Sequence, residues 1–113
     1  MNYNFIPTDL FKREFKRLAK RYKSLKQDLE DLYNEMEANP QLGTDLGNGI
    51  RKIRMSIKSK NKGRSGGARI ITFTVIVSES DTEINILYIY DKSEQSSISK
   101  KDIETLLVKS GLK

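Results

Sequence analysis

The chain has 113 residues, 36% of them hydrophobic and 32% charged, with a net charge of +6, which fits one small soluble domain over residues 1–113 built on a single core. It contains no cysteine and no histidine, so disulfides, thiol nucleophiles, Cys/His zinc sites and imidazole catalysis are all removed. No apolar run approaches the roughly 20 residues of a membrane span. Met1-Asn2-Tyr3-Asn4 also lacks the cationic and apolar regions of a signal peptide, so the expectation is a cytoplasmic chain at its mature length with no membrane partner.

In chain order, Tyr3 to Ile6 reads as a short strand ended by Pro7, and Thr8 as the N-cap of a helix through Phe11, Phe15, Leu18 and Tyr22. Ser24-Leu25-Lys26-Gln27 matches a capping box that restarts a helix carrying Leu25, Leu29, Leu32 and Met36 and stopping before Pro40. The apolar spacing continues unbroken from Phe11 to Met36, so a single long helix is the alternative. A hairpin broken near residues 22–24 is favoured, because a helix of about 40 Å would overhang so small a domain. Asp28, Glu30, Asp31, Glu35 and Glu37 avoid the apolar stripe and read as a solvated helix face. Residues 43–49 form a turn-rich loop. Strands follow over about 50–58, 68–78 and 83–90, with a hairpin turn at Glu79-Ser80-Asp81 between the last two. The basic, glycine-bearing connection from Ser59 to Gly67 reads as a mobile loop. Ser99 caps a final helix to about Val108, with Ile103, Leu106 and Leu107 inward and Gly111 closing it. The order β-α-α-β-β-β-α gives an α+β fold: a small, mostly antiparallel sheet with two N-terminal helices and one C-terminal helix, all expected on one face.

Charge is segregated along this chain. Residues 1–27 hold eight basic and two acidic side chains, and residues 28–49 hold six acidic and no basic ones. Residues 50–70 then hold eight Lys or Arg and no acid, a distribution that steers a polyanion to one surface. Within that run Ile53, Met55 and Ile57 alternate with Lys52, Arg54, Ser56 and Lys58, whose side chains would stand about 7 Å apart along one strand face. Like charges so placed are unfavourable until an anion neutralises them, which points to RNA or DNA. Gly63-Arg64-Ser65-Gly66-Gly67 matches neither a P-loop nor a dinucleotide fingerprint; its glycines are read as permitting a turn and close approach of backbone to a phosphate.

Three stretches together resemble a known family. Leu46-Gly47-Asn48-Gly49-Ile50-Arg51-Lys52-Ile53-Arg54, then Lys58 to Ile71 with Gly66-Gly67-Ala68-Arg69, then Leu87-Tyr88-Ile89-Tyr90-Asp91-Lys92-Ser93-Glu94 are similar to toxins of bacterial type II toxin–antitoxin modules. The likeness is to the RelE superfamily, nearer its HigB-like branch, and covers essentially the whole chain. It implies the α+β fold derived above and a metal-independent, cofactor-free endoribonuclease that cuts mRNA on the ribosome by attack of the 2′-OH. It also implies a cognate antitoxin, expected to be a helix-turn-helix DNA-binding protein. By this resemblance Lys52, Arg54, Arg69 and Lys92 are the catalytic candidates, Arg69 holding the scissile phosphate. Arg51, Lys58, Lys60, Lys62, Arg64, Tyr88 and Tyr90 are the RNA-binding candidates. RelE itself carries an arginine just after its last strand and a tyrosine near its C-terminal helix, where this chain has Ser93 and Ser99. The alternative is a non-catalytic RelE/ParE-like binder acting on DNA gyrase or the ribosome; the basic stretch at 58–69 favours RNA.

Overall fold

The computed structural model describes residues 2–61 and 63–113. Lys62, one of the expected RNA contacts, lies outside the described residues. The elements are β1 (Asn2–Pro7), α1 (Asp9–Arg21), α2 (Leu25–Ala38), β2 (Thr44–Gly47), β3 (Ile50–Met55), a short 3-10 turn (Lys58–Lys60), β4 (Ala68–Ile76), β5 (Asp81–Asp91) and α3 (Lys100–Lys109). The five strands lie in the order β1-β5-β4-β3-β2, antiparallel except for β1, which runs parallel to β5.

The helices form where periodicity and caps place them. Thr8 Oγ1 accepts the Phe11 amide at 3.1 Å and donates to the Leu87 carbonyl at 3.1 Å, so the cap also pins the start of α1 to β5. The apolar stripe does break at Tyr22, whose backbone is extended, and two helices result. The capping box at Ser24 does not form. Ser24 is itself helical in backbone and spends its hydroxyl on Asp28, at 2.7 Å, and on Ser59.

Two further results depart from the sequence reading. Residues 44–47 are not all loop: they pair with β3 as an irregular edge strand, after which Asn48 and Gly49 turn with positive φ. The helices, moreover, cover both faces. Phe11, Leu18, Leu25, Leu32 and Met36 of α1 and α2 pack on Ile53, Met55, Ile70, Ile86 and Ile89. Ile103 and Leu107 of α3 pack on the opposite face, against Ile50, Ile71, Leu87 and Tyr90. That second core exists because β5 carries a bulge. Ile71 opposes Tyr88 while Thr72 opposes Ile86, leaving Leu87 as the extra residue. The inserted residue shifts the alternation, so Ile84 and Ile86 before it and Ile89 after it face α1 and α2, while Leu87, Tyr88 and Tyr90 face α3.

Candidate nucleic-acid interface

The bulge decides what shares a face with the basic residues of β3. On the α3 side the cross-strand register sets Arg54 opposite Arg69, and Arg69 opposite Tyr90. The next row sets Lys52 opposite Ile71, and Ile71 opposite Tyr88. With strands about 4.8 Å apart, Arg54 to Tyr90 spans about 10 Å, a row of two guanidinium groups ending in a phenol. Tyr88 and Tyr90 have ring centroids 6.2 Å apart. Burial raises the pKa of both phenols above the ordinary tyrosine value, Tyr90 despite the lowering effect of nearby Arg69. Both hydroxyls therefore keep their protons at neutral pH and can donate, not accept, a proton.

Most of the basic run is already engaged. Arg51 points to the other face, where it donates to the Gln41 carbonyl at 2.9 Å and approaches Asp45 at 3.9 Å. Lys58 pairs with Asp31 at 3.1 Å and Arg64 with Glu35 at 2.7 Å, both exposed. The acidic side of α2 is thus only partly the solvated face expected: Asp31 and Glu35 neutralise the loop, and Asp28 is buried, accepting the Lys58 amide at 3.2 Å. Lys60 is withdrawn altogether, its ammonium 2.7 Å from the fully buried Asp91. Lys92 donates to the Ser96 carbonyl within the β5–α3 connection. Among the described residues of the run, Lys52 and Arg54 are the two cations with no ion pair or hydrogen bond.

Arg69 is not a free arginine at the mouth of a strand. It is 6% exposed, and its guanidinium donates to the carbonyls of Arg64 at 3.1 Å, Ser65 at 3.2 Å and Ala68 at 3.3 Å. Those bonds fold the end of the basic loop back over β4. Of the loop glycines, Gly63 turns with positive φ, as expected, and Gly67 serves packing. A Cβ on Gly67 would stand 2.1 Å from the Met55 carbonyl oxygen, so the loop can cross β3 only without a side chain there. Backbone also closes the loop from the far side, where the Lys92 amide donates to the Gly67 carbonyl at 3.1 Å.

Sequence reasoning missed one arrangement entirely. Asp91, at the end of β5, accepts from the Tyr22 hydroxyl at 2.5 Å, Lys60 Nζ at 2.7 Å, Ser93 Oγ at 2.8 Å and the Ser93 amide at 2.9 Å. Burial alone would raise its pKa, but Lys60, Tyr22 and Ser93 outweigh burial and hold the carboxyl well below the ordinary range. Lys60 also lies 5.3 Å from the centroid of the Tyr22 ring. An aspartate ending a β-branched strand, with Ser two positions on, is a local signal for self-capping, but its lysine and tyrosine partners lie 31 and 69 residues away.

The fold and this site together define a helix-backed α+β sheet that holds unpaired cations and protonated phenols on one face. A family model described as the RelE toxin of the RelE/RelB toxin–antitoxin system matches residues 9–111. The chain belongs to the RelE toxin family; it is the toxin component of a toxin–antitoxin system, and a cognate antitoxin is its partner. Among the described residues no helix is long and apolar enough to cross a membrane.

Proposed function

We propose that this toxin is a ribosome-dependent mRNA endoribonuclease of the HigB-like branch, with residues 1–113 acting as one toxin domain in the cytoplasm. The observation that carries the reading is the row Arg54–Arg69–Tyr90 with unpaired Lys52 beside it. Two arginines directly opposite one another are unfavourable unless an anion bridges them, and a phosphodiester is such an anion. Attack of an RNA 2′-OH on its own phosphate needs a base, positive charge for the crowded phosphorane, and an acid for the departing 5′-oxygen. Lys52, unpaired beside that row, takes the 2′-OH proton as general base. Arg54 and Arg69 stabilise the phosphorane. Tyr90 donates to the leaving oxygen, with Lys92 as the other donor within the same strand end. The products are a 2′,3′-cyclic phosphate and a 5′-OH: all heavy atoms come from the RNA, while one proton passes from the 2′-OH to Lys52 and another from Tyr90 to the 5′-oxygen.

On the same reading the antitoxin is a helix-turn-helix DNA-binding protein. Expression of the toxin alone, scored by growth arrest and by primer extension on a translated message, tests the assignment. Cuts within codons that vanish in a Lys52→Ala/Arg54→Ala variant support it. Growth arrest without cuts, accompanied by loss of supercoiling activity, would make the protein a gyrase poison instead.

A further inference from the structure

The buried group formed by Asp91, Lys60 and Tyr22 lies on the α1/α2 face, away from the cations just assigned to the RNA. It joins three segments distant in sequence: the end of α1, the 3-10 turn that begins the basic loop, and the end of β5. Lys60 has its charge matched by the fully buried Asp91 carboxylate, whereas Arg69 is bonded only to neutral carbonyls, so Lys60 offers an RNA strand no uncompensated charge. Taking such a charge pair out of water is costly and is rarely the most stable packing available, so a buried pair of this kind suggests a need for geometry.

That geometry can be followed bond by bond. Lys60 anchors the start of the basic loop to Asp91. The next residue of β5's extension, Lys92, anchors its end through the Gly67 carbonyl. Between those anchors the loop presents the carbonyls of Arg64 and Ser65, which fix the Arg69 guanidinium. Tyr22 completes the clamp by donating to the second oxygen of Asp91 and lending its ring to the ammonium. We infer that Lys60, Asp91 and Tyr22 are positioning residues for RNA cleavage, a buried clamp that sets loop residues 58–61 and 63–67 and, through them, the direction of Arg69.

The inference rests on the endoribonuclease reading, and its test separates the two. Lys60→Met, Lys60→Arg and Tyr22→Phe are assayed on ribosomes programmed with a defined message, and each is also probed by hydrogen exchange over residues 58–69. The clamp requires Lys60→Met and Tyr22→Phe to lower kcat while KM stays within about twofold, the loss for Lys60→Met reaching about ten- to a hundredfold, as for other small misplacements of a catalytic group. Lys60→Arg restores most of the rate, because it keeps the charge and the pair. Both damaging variants must also speed exchange in residues 58–69 relative to the strands. A Lys60→Met variant that raises KM with kcat unchanged would make Lys60 an RNA contact and overturn the proposal. So would wild-type kcat and wild-type exchange in Tyr22→Phe, a variant that keeps the ring and folds even if Lys60→Met does not. If the wild-type toxin cuts no RNA, the functional reading fails and takes the cleavage role of the three residues with it, but not their hold on the loop. The exchange of the loop then decides the clamp.

Discussion

Replacing Lys60 with methionine removes a charge from a buried pair while keeping nearly the same length of side chain. The ammonium lies 2.7 Å from a carboxylate that has no solvent exposure, so the variant leaves Asp91 uncompensated. Breaking a buried pair from one side typically costs about 3–5 kcal/mol. Asp91 keeps the Tyr22 hydroxyl and two donors from Ser93, which places the expected loss at the lower end, about 3 kcal/mol. That is a large share of the roughly 5–15 kcal/mol by which a domain is stable, yet compatible with a folded variant. The loss must also depend on pH in a definite sense. Wild-type Asp91 has a depressed pKa, so its stabilisation is complete above the ordinary carboxylate range and drains away as pH falls toward the folded value. Without Lys60, burial is opposed by fewer groups, the folded value rises, and less stability is left to lose on acidification. Urea unfolding followed by circular dichroism should therefore show a gap between wild type and variant that is widest near neutrality and narrows as pH falls to about 3.5. A gap below about 1 kcal/mol at neutral pH, or one that does not change with pH, would refute the buried-pair account.

Arg69→Ala is expected to lower cleavage by two to three decades, the effect of about 3–4 kcal/mol lost from the transition state. It should also destabilise the fold, because three carbonyl contacts of a nearly buried guanidinium disappear; single-turnover rates at matched folded concentration, with a urea curve beside them, measure both. Lys52→Arg keeps the charge but puts the proton out of reach, so cleavage should fall while the urea midpoint stays unchanged; equal cleavage rates would leave Lys52 a purely electrostatic role. Gly67→Ala forces a methyl group to within 2.1 Å of the Met55 carbonyl oxygen, so thermal unfolding should show a severe loss of stability.

The order of helices and strands could be read because local chemistry wrote it down. Thr8 and Ser99 accept the amides three residues on, as cap residues do, and the spacing of Phe11, Leu18, Leu25 and Leu32 built one face of two helices. The fate of the basic run could not be read the same way. Eight cations in 21 residues looked like one RNA track, yet Lys58, Lys60 and Arg64 are matched by carboxylates from α2 and β5 that lie 27 to 31 residues away. Charge counts locate cations, whereas pairing depends on tertiary approach. The face on which Tyr88 and Tyr90 stand was equally hidden. Simple alternation along β5 carries no mark of the extra residue at Leu87, and that single insertion turns both phenols to the face that carries Lys52, Arg54 and Arg69. Lys52 and Arg54 were correctly separated from Ile53 and Met55 by alternation alone, since β3 has no bulge between them.

The claim that this toxin cuts messages on the ribosome is tested most directly with purified components. A defined mRNA is incubated with the toxin, with and without translating ribosomes, and the new ends are mapped and chemically typed. The account predicts cuts only when ribosomes are present, inside the translated frame, each leaving a 2′,3′-cyclic phosphate and a 5′-OH, and none with the Lys52→Ala/Arg54→Ala variant. An intact message on translating ribosomes, or equal cutting of naked RNA, would contradict it.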